Sequence, residues 1–143
     1  MAKAAYKLPD DFLDRISKLA DKTEEIVPRV LDAGGEVMAA QVRSNLASVV
    51  GSGTKFPSRS TGTLVSALGV SGARVDRNGN YNVKVGFAEN RRDGVSNAML
   101  ANLLEHGKKG QPPKPFLRPA RVAAKEPALA AMKAKLEEEI DKL

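Results

Sequence analysis

The sequence predicts an α+β domain spanning residues 1–143, with a long N-terminal helix, a β-hairpin or small antiparallel sheet, and a C-terminal helical arm. Apolar residues recur at helical spacing over 9–49, alternate over 68–88, and return to helical spacing over 117–143. A chain of 143 residues with 42% hydrophobic content supports one domain with a modest core.

The N-terminal helical region reads as two consecutive helices. Thr23 caps the second, whose apolar stripe extends to about Val49. Pro28 lies beyond the safe first turn, so we expect a kink or a later helix start there. The pair Gly34-Gly35 costs about 2 kcal/mol of helix propensity relative to two alanines. That cost favours a close crossing by a neighbouring element and leaves a hinge as the alternative.

The segment 51–62 is rich in glycine, serine, threonine and proline, which is typical of a loop. It is either a plain surface loop or a segment that becomes ordered during assembly. In the second case, the candidates for assembly contacts are Lys55, Phe56 and Arg59.

The β-hairpin prediction rests on alternation and on its turn. Val83, Val85 and Phe87 point to one face of a strand. Residues 76–80 lie between the two strands, and their Asn78-Gly79 dipeptide favours a hairpin turn because both residues tolerate a positive φ.

Residues that begin or end helices are concentrated between residues 97 and 120. A helix over 97–106 ends at Gly107, a basic and proline-rich elbow follows, and Pro119 suits the first turn of a final helix. We expect that final helix to break near Pro127. The candidates for core or subunit-interface positions here are Leu104, Glu105, Pro115, Phe116, Leu117 and Arg118.

Composition excludes several classes of function. The chain has no cysteine and one histidine, so it lacks thiolate chemistry and His-cluster metal sites, and we expect no cofactor. His106 and its neighbour Glu105 diverge by about 100° on a helix and form no catalytic dyad by position, so we predict that the protein is not an enzyme. No apolar run approaches the roughly 20 residues needed to span a membrane.

The net charge of +6 favours polyanionic partners without identifying one. Arg91, Arg92, Lys108 and Lys109 are the candidates for facing DNA or the acidic face of a neighbouring subunit. The alternative is that they are solvated loop charges. The C-terminal end, by contrast, is acidic, and such asymmetry suits head-to-tail association of identical subunits.

Two motifs resemble a known family. The run Leu103-Leu104-Glu105-His106-Gly107, followed by the block Gln111 to Ala120 (QPPKPFLRPA), is similar to the signature of tail-completion, or head–tail joining, proteins of long-tailed bacteriophages and prophages. Thr61-Gly62-Thr63-Leu64 resembles that family's step between a long helix and a β-hairpin. The order of parts matches from about Asp11 to Leu143.

The resemblance implies a structural virion protein of the neck, assembled in the bacterial host cytoplasm. Such proteins form a ring, of six subunits, between the head connector or stopper protein and the tail tube or tail terminator protein. The lumen passes DNA without sequence preference. The alternative from another class is a free-standing, basic, sequence-independent DNA-binding protein.

Overall fold

The computed structural model describes residue 5 and residues 7–51, 62–88 and 94–143. Its elements confirm the α+β class. In chain order they are α1 (Asp10–Asp21), α2 (Thr23–Val49), α3 (Thr63–Ser66), β1 (Leu68–Val70), β2 (Arg74–Val75), β3 (Tyr81–Asn82), β4 (Val85–Phe87), α4 (Asn97–His106) and α5 (Leu117–Asp141).

The long helices α2 and α5 pack antiparallel and form the frame of the fold. Near the start of α5, the Asn45 amide Nδ2 of α2 donates to the carbonyl oxygen of Phe116 at 3.2 Å. Near the end of α5, Arg29 Nη1 of α2 donates to Glu139 Oε2 at 2.9 Å. Each end of the helix pair is therefore closed by a polar contact between the two helices.

The Gly34-Gly35 pair marks the closest packing on α2. A Cβ atom on Gly34 would lie 2.7 Å from Met132 Cγ of α5, and one on Gly35 would lie 3.1 Å from methyl groups of Val70 and Val83. The predicted close crossing is confirmed, and each glycine admits a different neighbour. Small residues continue the interface on α5, where the buried alanines are Ala120, Ala124 and Ala128.

Both long helices contain an internal proline. α2 begins at Thr23 and includes Pro28, so the later start offered as one option is wrong. α5 runs without a break through Pro127, so the expected break there is also wrong. An interior proline costs about 3 kcal/mol because it removes one hydrogen bond and crowds the preceding turn. The packing of α5 against α2 continues on both sides of Pro127, where Ala124 and Ala128 are buried, and this packing keeps the helix continuous.

The hairpin consists of two short antiparallel ladders. Val70 pairs with Val85 in the first ladder and Arg74 pairs with Asn82 in the second, which leaves one extra residue on the leading strand. This extra residue is a bulge, and Ser71 Oγ satisfies part of it by accepting the N–H of Lys84 at 3.0 Å.

The hairpin turn lies at residues 76–80, between Val75 and Tyr81, as the sequence predicts. Within this turn, Gly79 has a positive φ of 82°, whereas Asn78 does not, since no described non-glycine residue does. The carboxylate of Asp76 accepts the N–H groups of Asn78 and Asn80 at 2.8 and 2.9 Å. A three-residue loop results, because an Asx turn followed by one left-handed glycine needs no positive φ at Asn78.

The core lies where the start of α5, the end of α2, the hairpin and α4 meet. Its buried residues are Val42, Leu46, Leu64, Leu68, Ala101, Phe116 and Ala120. Val85 and Phe87 pack against this cluster from the predicted inner face of the hairpin.

Helix α1 takes no part in that core. None of its residues is buried, and the side chains of Phe12 and Ile16 are each 49% exposed. Its contact with α5 is a long hydrogen bond of 3.4 Å from Arg15 Nη2 to the carbonyl oxygen of Ile140, beside a 4.0 Å ion pair with Asp141. α1 therefore lies beside the last turn of α5.

Candidate functional site

Three consecutive N–H groups at the start of α5 converge on one carboxylate. Glu105 Oε2 accepts from the N–H groups of Phe116 and Leu117 at 2.7 and 2.8 Å, and Glu105 Oε1 accepts from Arg118 at 3.0 Å. A helix leaves its first N–H groups without intrahelical acceptors, and its N-terminal dipole favours a negative charge. Glu105 meets both requirements from the end of another helix.

The rest of the first turn of α5 completes this arrangement. Pro119 has no N–H to satisfy, and the N–H of Ala120 donates to the carbonyl oxygen of Phe116 at 3.3 Å. Each backbone position from 116 to 120 is thus either hydrogen-bonded or without a donor. The α5 start needs no local side-chain cap, and none is formed.

The Glu105 carboxylate is held in its ionised form. Burial, the largest single influence, raises its pKa, but the N–H groups of Phe116, Leu117 and Arg118 and the nearby His106 together outweigh it. The pKa of Glu105 is therefore lowered from its ordinary value. The cap is a charged one, which is stronger than a neutral cap of the same geometry.

The elbow, residues 107–115, begins at a position that only glycine fits. Gly107 has a φ of 75°, and a Cβ atom there would lie 2.7 Å from Pro113 N and 2.8 Å from the carbonyl oxygen of Gln111. The N–H of Gly107 also closes α4 by donating to the carbonyl oxygen of Leu103 at 2.8 Å. The chain therefore turns back tightly on the end of α4.

Backbone hydrogen bonds hold the rest of the elbow. Lys108 and Gln111 exchange N–H···O bonds of 3.0 and 2.9 Å, and the N–H of Lys114 donates to the carbonyl oxygen of Leu104 at 2.7 Å. The side chains of Lys108 and Lys109 are exposed on this turn. The elbow is thus a fixed, cationic projection.

Phe116 anchors the elbow in the core. Its side chain is fully buried, and its ring meets the ring of Phe87 edge to face, with centroids 6.3 Å apart. Leu104 and Leu117 are half-buried against the same core. Pro115 and Arg118 are exposed. The candidates from this segment therefore divide between core and surface.

A cleft, here called the elbow groove, opens beside the Glu105 cap. Its volume is about 490 Å³, and its rim carries both carboxylate and guanidinium groups above an apolar floor. The floor residues are Met38, Val42, Val85 and Leu117. The rim residues are Glu105, His106, Arg118 and Arg121.

Several sequence candidates are not placed by the structure. Lys55, Phe56, Arg59, Arg91 and Arg92 lie outside the described residues. Among the candidates that the structure describes, the Glu105 carboxylate contacts the backbone N–H groups of Phe116, Leu117 and Arg118. Lys108 and Lys109 lie on the elbow that joins Glu105 to these residues.

Sequence reasoning missed two polar anchors. Asn45 lies beside Leu46 on α2; its Oδ1 accepts from Gln41 Nε2 at 2.9 Å, and its Nδ2 donates to the carbonyl oxygen of Phe116 at 3.2 Å. The signal that could have identified Asn45 is its position beside Leu46 in the apolar stripe. Glu139 is buried in an acidic run whose sequence does not distinguish it from its neighbours Glu137 and Glu138.

The charge of Glu139 is stabilised within the chain. Burial, the largest influence, raises the pKa of Glu139, but Arg29, Lys142 and Lys135 outweigh it and lower the pKa to about 2. The acidic C-terminal end is therefore partly neutralised by cations of its own chain.

Two further properties concern the part of the chain that the structure describes. It contains no group of three or more His, Cys, Asp or Glu side chains that could hold a metal ion. None of its helices is both long enough and apolar enough to cross a membrane.

Comparison with known proteins identifies a family to which the sequence is similar. The sequence profile of the family described as "Bacteriophage HK97-gp10, putative tail-component" matches residues 10–107, which is more than half of the chain. The matched span runs from the start of α1 to Gly107, so it includes Glu105 and ends before Phe116. Searches of curated proteins and of solved structures returned no match at the significance required.

Proposed function

We propose that this chain, which belongs to the HK97-gp10-like family of bacteriophage tail components, forms a ring in the virion neck that joins the head connector to the tail tube. The family match is the observation that carries the proposal, because it makes the chain a structural component of a phage tail. The ring, of six subunits, contacts the connector or stopper protein on one side and the tail tube or terminator protein on the other.

The geometry supports a structural role. The Glu105 cap fixes the direction in which α5 leaves the elbow, and Phe116 locks that direction into the core. A charged side chain whose oxygens are fully engaged by backbone donors is poorly suited to proton transfer. The site therefore sets shape, which is what a subunit of a symmetric assembly requires.

The cationic elbow suits a surface near DNA. Lys108 and Lys109 are exposed, and the sequence from residue 108 to residue 125 contains six cationic residues and no acidic one. Phosphate contacts made by such side chains are independent of sequence and weaken with salt. A ring lumen through which DNA slides needs attraction of this kind.

Complementation of a phage lacking this gene tests the proposed role. Particles made without the protein should show filled heads and separate tails by electron microscopy, and the wild-type chain should restore joined particles. Joined, infectious particles in its absence would overturn the neck role. Before joining, we expect the purified chain to be monomeric or weakly associated by light scattering.

The DNA-facing role has its own test. Lys108→Gln/Lys109→Gln should fold normally and lower the yield of infectious particles, whereas Lys22→Gln/Lys133→Gln removes the same charge from exposed positions elsewhere and should not. A salt titration of duplex binding by gel shift should show weak, sequence-independent binding that is lost steeply with salt. Nanomolar, sequence-selective binding would favour the DNA-binding alternative instead.

A further inference from the structure

The β-hairpin has an outer face that points away from the rest of the fold. Its inner face is set by Val70 and Val83, whose methyl groups lie 3.1 Å from where a Cβ atom on Gly35 of α2 would stand. Side chains alternate along a strand, and cross-strand partners share a face. The outer face therefore carries the remaining alternate positions and their partners, which are Gly69, Arg74, Asn82, Lys84 and Gly86.

Two adjoining clefts open on this outer face and share Ser71 and Lys84. The first, of about 290 Å³, lies over the first ladder and is lined by Gly69 and Gly86. The second, of about 230 Å³, lies over the second ladder. The polar residues that complete its lining are Arg74, Asp76 and Asn82. Together the two clefts form one depression along the hairpin, here called the hairpin trough.

Arg74 and Lys84 give the hairpin trough a positive charge. Both side chains are exposed, and neither forms an ion pair with an acidic side chain in the part of the chain that the structure describes. Lys84 follows Asn82, the cross-strand partner of Arg74, by two residues, which is roughly 7 Å of strand. Each strand of duplex DNA carries one phosphate per roughly 3.4 Å of helix axis. Two cations at this spacing therefore lie within reach of two phosphates of one strand.

The hairpin carries one negative charge, at the end of the trough. Asp76 is the only acidic residue in the sequence from 68 to 88, which contains three cationic residues. Its carboxylate accepts the N–H groups of Asn78 and Asn80 at 2.8 and 2.9 Å, so it is engaged by the turn. The rest of the trough is left cationic.

The floor of the trough is bare peptide backbone, because Gly69 pairs with Gly86 across the first ladder. Neither glycine has a positive φ, and no atom lies within 4 Å of a Cβ placed on either one. The positive φ of the nearby bulge belongs to Gly72 instead. The chain's own backbone and packing thus give no reason for these two glycines. Glycine within a strand often marks a place where another molecule approaches the backbone closely.

A phosphate backbone fits this surface better than the acidic end of a second copy does. At the end of α5, Glu138 and Glu139 are already paired with Lys135 and Lys142 of their own chain. A DNA strand, by contrast, presents evenly spaced charges along an extended path, which the length of the trough can follow.

We infer that the hairpin trough binds the sugar–phosphate backbone of DNA. Arg74 and Lys84 contact the phosphates, and the Gly69–Gly86 pair lets the DNA backbone approach the sheet. Contacts of this kind position DNA without reading its sequence. This inference rests on the proposed passage of DNA through the ring, and it adds a second contact surface to the elbow.

A salt titration of DNA binding by the purified chain tests the two cations. The probes are short duplexes of two unrelated sequences, and the readout is fluorescence anisotropy at low salt. Arg74→Gln/Lys84→Gln should lower the affinity several-fold and reduce the slope of log K against log salt by about 2, because two phosphate contacts are lost. Lys22→Gln/Lys133→Gln removes the same charge from exposed positions on the helices and should leave the slope unchanged. Equal slopes for the two variants would overturn the inference.

Adding side chains to the floor tests the close approach without removing any charge. Gly69→Thr/Gly86→Thr should keep the fold, since threonine suits strands and both positions face open space. The Tm should be unchanged or higher, while the affinity for both duplexes should fall several-fold. Affinity equal to that of the wild-type chain, in a folded variant, would show that DNA does not approach these glycines.

A photo-cross-link locates the DNA in assembled particles, because the natural chain contains no cysteine. Asn82→Cys labelled with an aryl azide should form adducts with DNA in filled, joined particles, and Lys22→Cys with the same label should not. Adducts between residue 82 and a neighbouring subunit, without DNA adducts, would overturn the inference and assign the trough to a protein contact.

Failure of this contact is distinguishable from failure of the neck role. A labelled chain that restores joined particles without forming a DNA adduct at residue 82 keeps the neck role and loses the trough. Duplex binding that depends on Arg74 and Lys84, in a chain that does not restore joining, supports the trough and counts against the neck role.

Discussion

Helices α1 and α5 both carry apolar residues at helical spacing, but only α5 buries one of its faces, while Val122, Leu129 and Leu136 of α5 remain exposed. On α5, the residues that face α2 are covered, from Phe116 at the start through Ala120 to Ala128. On α1, the apolar stripe is open, and Phe12 and Ile16 are about half exposed. The periodicity of the sequence is helical in both cases.

The difference follows from how each helix is anchored. α5 starts from a charged cap and a buried aromatic ring, and it is joined to α2 again at its far end by Arg29 and Glu139. α1 has no side-chain cap at its start and touches α5 through Arg15. Apolar periodicity thus indicates that a face will be covered, without indicating whether the cover comes from the same chain or from another.

The largest expected effect on stability comes from the buried side chain of Phe116 at the start of α5. Phe116→Ala should lower the free energy of unfolding by about 3 to 5 kcal/mol, because it removes a fully buried aromatic side chain and leaves a cavity beside Phe87. Urea denaturation followed by circular dichroism measures the change. A loss below about 1 kcal/mol would show that Phe116 does not anchor α5.

Removal of the Glu105 cap should have the second-largest effect on stability. Glu105→Ala should cost about 2 to 3 kcal/mol, because it removes an ionised acceptor from three backbone N–H groups at a helix start. Glu105→Gln keeps the shape and should cost less. Glu138→Ala is the control, because that carboxylate is exposed and accepts hydrogen bonds from Lys135 and Lys142, and its removal should change the free energy of unfolding little. Equal losses at positions 105 and 138 would contradict a special role for the cap.

Two glycines of the elbow separate steric from conformational cost. Gly107→Ala and Gly110→Ala both force alanine into a positive φ, which costs about 1 to 2 kcal/mol. A Cβ at Gly107 also meets the backbone of Pro113 and Gln111, whereas nothing lies within 4 Å of one at Gly110. Gly107→Ala should therefore be the more destabilising in thermal denaturation, and equal shifts in Tm would contradict the tight turn.

The far end of α5 should respond to acid. The pKa of Glu139 is lowered from 4.5 to about 2, so the stability that its ion pairs contribute is present above pH 4.5 and is lost as the pH falls from there through about 2. Glu139→Gln should remove that part of the pH dependence. The urea midpoints of the wild-type chain and of Glu139→Gln, measured across this pH range, should converge toward low pH. Parallel curves would show that Glu139 does not cause the pH dependence of stability.

Much of the fold could be predicted from the sequence because it depends on local signals. Gly107 marks the end of α4 and Pro119 lies in the first turn of α5, and both act on backbone groups within a few residues. Thr23 is the first residue of α2, but the cap predicted there is wrong: its hydroxyl donates to the carbonyl oxygen of Leu19 at 3.0 Å, and no side chain caps α2. The alternation of Val83, Val85 and Phe87 likewise placed the inner face of the hairpin.

What could not be predicted depends on tertiary context. Glu105 lies eleven residues before its first hydrogen-bond donor, and nothing local distinguishes its carboxylate from any other at a helix end. Pro127 was expected to end a helix, but burial on both sides of it outweighs one missing hydrogen bond. The one-residue bulge between Val70 and Arg74 also leaves no mark in the periodicity.

Substitutions in the exposed apolar stripe of α1 should have the smallest effect on stability. The same substitutions should have the largest effect on assembly. Phe12→Ser/Ile16→Ser should change the free energy of unfolding by less than about 1 kcal/mol, since both side chains are half exposed in the free chain. Asp14→Ser/Lys18→Ser makes the same substitutions at the same spacing on the polar face, removes one 2.7 Å surface ion pair and leaves the net charge unchanged. Urea midpoints of the two variants should agree closely, while only the apolar pair should fail to restore joined particles to a phage lacking the gene. If the apolar pair instead unfolds the purified chain, the α1 stripe belongs to the fold, and its contrast with α5 is wrong.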